Sequence, residues 1–63
     1  MSTHPAIIAA IAHTAQAETL EQRVTQARTV TEPAARQILW AMIHAHRAAA
    51  TALTEIAKKD EMP

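Results

Sequence analysis

Four histidines, His4, His13, His44 and His46, are the side chains best suited to chemistry in this chain. A neutral imidazole can take up a proton or ligate a transition metal near neutral pH. His44 and His46 are two residues apart, which on a helix turns them some 200° away from each other, so they cannot chelate one ion together. His13 and His46 are different: each falls on the apolar line of a separate helix, and packing those lines together places them in neighbouring layers. In a symmetric dimer up to four such imidazoles would meet near the middle, where they could hold Zn²⁺ or a haem iron. No carboxylate lies on either line, however, and the Glu-x-x-His motif of di-iron bundles is missing. The commoner role of such residues is a polar layer that fixes helix register by hydrogen bonding. The expectation is therefore a structural pair with no cofactor, whose protonation weakens the assembly below roughly pH 6.

A second arrangement capable of chemistry runs along the C-terminal half. Arg36, Trp40, Ile43, Arg47, Thr51, Thr54 and Lys58 recur at near-helical spacing. Cations interleaved with an aromatic can grip phosphates and stack on a base, so Arg36, Trp40, Arg47 and Lys58 are candidate nucleic-acid contacts. Against this stands a formal net charge of zero, six basic residues balancing six acidic ones. Three cations spread over six turns are also ordinary for a solvated face. No enzyme class finds its parts: there is no Cys, Ser2 is the lone serine, the carboxylates are scattered, and without Gly there is no phosphate-cradling loop. A non-enzymatic protein is expected.

The elements that carry these residues follow from periodicity. Gly, Phe and Tyr are absent, and strand formers are too sparse to alternate over any window. The composition is all-α. From Pro33 to about Lys59, the residues Ala35, Leu39, Met42, His46, Ala49, Leu53 and Ile56 step by four and three without a break, the seam of a helix packed along its length on another. Ala6, Ala10, His13, Ala17, Leu20, Val24 and Ala27 do the same in the first half. Thr3-His4-Pro5 reads as a helix start, with Thr3 or His4 as the cap, and Thr31-Glu32-Pro33 repeats the grammar. Pro33 disfavours helix at Glu32, and the β-branched Thr29-Val30-Thr31 suits a tight connection.

The reading is an antiparallel two-helix hairpin, with helices over about 5–29 and 33–59 and a turn at about 30–32. Folding it about Thr31 sets Ala6 against Ile56, Ala10 against Leu53, His13 against Ala49, Ala17 against His46, Leu20 against Met42 and Val24 against Leu39, small opposite large in most layers. A rival reading breaks the first helix at Thr19, because Thr19-Leu20-Glu21-Gln22 has the form of a capping box.

Sixty-three residues make at most one domain, and a chain of that size buries only about 60% of its unfolded surface. Self-association is the natural source of further stability when no disulfide is available. Ile7, Ile8, Ile11, Ile38, Trp40 and Ile43 fall partly or wholly outside the two seams and are the expected interface with a second copy or another protein. Two hairpins would then form a four-helix bundle, a homodimer acting as an adaptor, inhibitor or regulatory subunit on a protein partner. Nucleic-acid regulation and histidine-held metal or haem are the alternatives. The run Ala6 to Ala12 is too short to span a bilayer and lacks a preceding Lys or Arg, so a cytoplasmic, non-membrane protein is expected. Length, single turn and paired seams resemble, in architecture alone, the plasmid-encoded hairpin dimers of the Rop type. No motif is shared, and neither function nor residues carry over.

Overall fold

A computed structural model describes residues 3–26 and 31–61. Within them the chain forms two helices, α1 (Pro5–Thr25) and α2 (Pro33–Glu61), packed against each other. The ends start as the sequence implies. His4 is the cap of α1: its Nδ1 accepts from the backbone N–H of Ala6 at 3.0 Å, and its carbonyl accepts from Ile7 and Ile8. Pro5 and Pro33 occupy the first helical positions, where a missing N–H costs nothing. The Glu32 carbonyl accepts the first bond of α2, from Arg36.

α1 runs unbroken through Thr19. That hydroxyl donates to the Ala15 carbonyl at 3.0 Å instead of capping a new helix, which disposes of the break at the Thr19 capping box. Thr14, Thr25, Thr51 and Thr54 likewise donate to carbonyls one turn back, so these threonines sit in helices without an unsatisfied group. α1 ends at Thr25, ahead of the expected position 29, with Gln26 extended beyond it. Residues 27–30, on which most of the expected turn falls, lie outside the described residues. α2 continues two residues past position 59, to Glu61, with Lys58 and Lys59 suiting the negative end of its dipole.

The seam of α1 is the expected one: Ala6, Ala10, Ala17 and Val24 are buried, His13 and Leu20 half-buried. On α2 the contact line is displaced. Leu39, His46 and Leu53 stay on it, but the other members are Ile43, Ala50 and Ala57, all buried, in place of Met42, Ala49 and Ile56. Ile43 is 0% exposed and is the largest fully buried side chain, packed with Ala17 and Val24 under Leu20, Leu39 and Trp40. The expectation that Ile43 is left over for a partner is therefore corrected. A rotation of α2 by about 50°, half a residue, brings it into the hairpin's own core.

The same rotation removes the expected layers Ala6–Ile56 and Leu20–Met42 from the core, because Ile56 is 50% and Met42 43% exposed. What is buried toward the open end is alanine on both helices, Ala6 and Ala10 on α1, Ala50 and Ala57 on α2. Small residues let the helices approach closely there but remove little apolar area from water. The hairpin is thus a thin rod of 49 × 19 × 11 Å with one compact hydrophobic knot near the turn.

Candidate functional site

The two histidines placed on facing seams do meet. His13 Nδ1 and His46 Nδ1 are 2.9 Å apart, with ring centroids 5.1 Å apart and planes tilted by 36°. They face each other directly, one layer closer than the sequence register implies. A hydrogen bond at this distance requires one Nδ1–H donor and one bare Nδ1 acceptor, so at least one ring is neutral. The bond joins α1 to α2 across 33 positions and sets their axial register. Two imidazoles make half of a tetrahedral zinc site. Among the described residues no three His, Asp or Glu side chains gather into a metal-holding group.

A second histidine contact, not foreseen, closes the open end. With Nδ1 of His4 accepting from Ala6, the proton must sit on Nε2, which donates to Asp60 Oδ2 at 2.8 Å. One imidazole therefore caps α1 and ties it to the last turn of α2. The carboxylate also lies beside the N-terminus of α1, where the helix dipole favours a negative charge. His44 points away from this line, and its ring lies 6.1 Å from that of Trp40.

The basic and aromatic stripe does not stand free. Trp40 packs half-buried against the Val24–Ile43 cluster, Arg47 pairs with Glu21 of α1, and Lys58 pairs with Glu55 at 3.5 Å. Arg36 is half-buried and engaged. Three of the four candidate nucleic-acid residues thus have roles within the chain: Trp40 packs against the core, and Arg47 and Lys58 form ion pairs.

The apolar residues expected at an interface divide into three groups. Ile43 is core. Ile7 and Trp40 are half-buried. Ile8, Ile11 and Ile38 are 57%, 63% and 62% exposed, and Met42 and Ile56 join them. Ile8 and Ile11 project from the back of α1, opposite its seam, whereas Ile38, Met42 and Ile56 lie on one flank of α2. Periodicity alone places Met42 and Ile56 on the hairpin seam, so it gives no sign of their exposure. On the Met42 flank the two helices leave an open groove of about 350 Å³, lined by Ala15, Gln16, Thr19, Leu20, Arg23, Met42 and His46. Its lining is mostly apolar.

No family model, no curated protein and no solved structure matches this chain. Among the described residues no helix is long and apolar enough to cross a membrane.

Proposed function

We propose that this protein is a non-enzymatic helical bundle that works by association: the hairpin assembles with a second copy, and the assembled bundle binds another protein. The observation that carries the reading is the set of five large apolar side chains, Ile8, Ile11, Ile38, Met42 and Ile56, each between 43% and 63% exposed, whereas among the described residues only two large side chains, Val24 and Ile43, are fully buried. Soluble monomers seldom leave so many large apolar side chains wet. Two separate groups support two separate uses. The α2 group lies beside the groove and the histidine pair, where a second hairpin adds a layer. The α1 group, Ile8 and Ile11, faces the other way and suits a foreign apolar surface.

Sedimentation equilibrium tests the first half. The reading expects a species of at least twice 6.8 kDa, with a thermal midpoint that rises with protein concentration. A well-folded 6.8 kDa monomer at high concentration overturns it. Ile8→Asp/Ile11→Asp tests the second half: it should leave the mass unchanged while abolishing retention of whichever protein the wild-type chain binds. Retention of the same protein by the double variant would remove α1 from the account.

A further inference from the structure

Resting on the self-association just proposed, we infer that the partner copy docks antiparallel on a second seam of α2, made of Ile38, Met42, Ala45, Ala49, Ala52 and Ile56, with the two-fold axis crossing next to residue 47. These residues step by four and three, the signature of a helix packed along its length. Each is one position before a member of the line that contacts α1, namely Leu39, Ile43, His46, Ala50, Leu53 and Ala57. A shift of one residue is about 100° around a helix, close to the right angle between the two nearest neighbours of a helix in a four-helix bundle. α1 fills one of those directions. The other is exposed, half-buried only at Ala49, and carries no polar or charged residue from Ile38 to Ile56.

The occupant that fits is a second copy. The chain exposes 4853 Å², whereas a compact monomer of 6.8 kDa exposes about 3,950 Å². The excess, about 900 Å², matches the roughly 800 Å² that each partner gives up in a stable interface. The seam is also self-complementary when run antiparallel. Ile38 then meets Ile56 of the second copy, Met42 meets Ala52, and Ala45 meets Ala49, so bulky layers close both ends and small ones let the backbones approach in between. A parallel pairing would set three alanine layers in a row beside facing methionines and isoleucines, leaving gaps. It would also align the helix dipoles and bring together the Lys58 and Lys59 ends. His46 lies between the two seams of α2, so the antiparallel dimer turns both His13–His46 pairs toward its centre, one residue from the axis.

Ala45→Glu places a charge on the exposed seam with a residue that suits helices, and Thr51→Glu places the same charge on the solvent side of α2. If the wild-type chain and Thr51→Glu sediment at twice 6.8 kDa while Ala45→Glu sediments at 6.8 kDa with its helical signal intact, the seam stands. An Ala45→Glu chain that remains dimeric overturns the seam and leaves self-association standing. A monomeric wild type overturns both. Should Ala45→Glu unfold, mixed oxidation of Ala45→Cys and Ala49→Cys chains decides: the inference expects the mixed disulfide to exceed either like-with-like product at least tenfold. Equal or greater Ala45→Cys self-linking overturns the antiparallel register.

Discussion

Ile43→Ala is the most informative single substitution in the hairpin. The side chain is 0% exposed and sits where Ala17 and Val24 of α1 meet Leu20, Leu39 and Trp40. Truncation removes three carbons from the one place where this chain packs large groups together, and such changes cost about 2–5 kcal/mol. With only two helices around the site, part of the cavity can collapse, which places the expected loss near 3 kcal/mol. A domain of this length holds only about 3–9 kcal/mol in total, so this one change removes a third or more of it. At roughly 4–8 °C per kcal/mol, the thermal midpoint should fall by about 12–24 °C. Helical circular dichroism followed against temperature and against urea measures both quantities. Ile38→Ala deletes the same atoms one turn away from an exposed site and should cost less, because Ile43 is buried before as well as after any assembly. A loss below about 1 kcal/mol for Ile43→Ala, or a larger loss for Ile38→Ala, would refute the observed rotation of α2.

Two further outcomes follow from the histidines. His4→Ala removes the cap of α1 and the link to Asp60 together and should cost about 1 kcal/mol, read from the urea midpoint; Asp60→Asn, which spares the cap, should cost less. The His13–His46 bond ties α1 to α2 at a half-buried layer, so His13→Ala, which leaves His46 Nδ1 without that partner, should cost about 1 kcal/mol, read from the urea midpoint.

Much of the architecture could be read before the structure, and the exceptions have physical causes. The two starts at Pro5 and Pro33 and the seam of α1 were legible because proline and a strict four-three step admit few alternatives. The end of α1 was not, since Thr25 lies in a polar run with no Gly or Pro to mark a stop. The rotation of α2 was hidden for a different reason. Its apolar face is wide, Met42 and Ile43 are equally fit to be buried, and the line drawn through Leu39, Met42, His46 and Leu53 bisects that face. α1 occupies only one side of the bisector, and the exposed seam occupies the other, about 50° away on each side. In the proposed assembly the line read from sequence points to the centre of a four-helix bundle, of which the hairpin fills half. His13 and His46 were placed on facing seams correctly, but their direct contact depended on an axial shift that periodicity does not specify. The role of His4 in joining both helix ends needed the fold, because Asp60 lies 56 positions away.

Small-angle X-ray scattering tests most directly whether the hairpin is half of a larger bundle. Side-by-side antiparallel packing predicts a particle of twice 6.8 kDa whose longest dimension stays near the 49 Å of one hairpin, with the cross-section thickened. A single-chain mass at that same length, or a doubled mass with a length approaching twice as great, would contradict it.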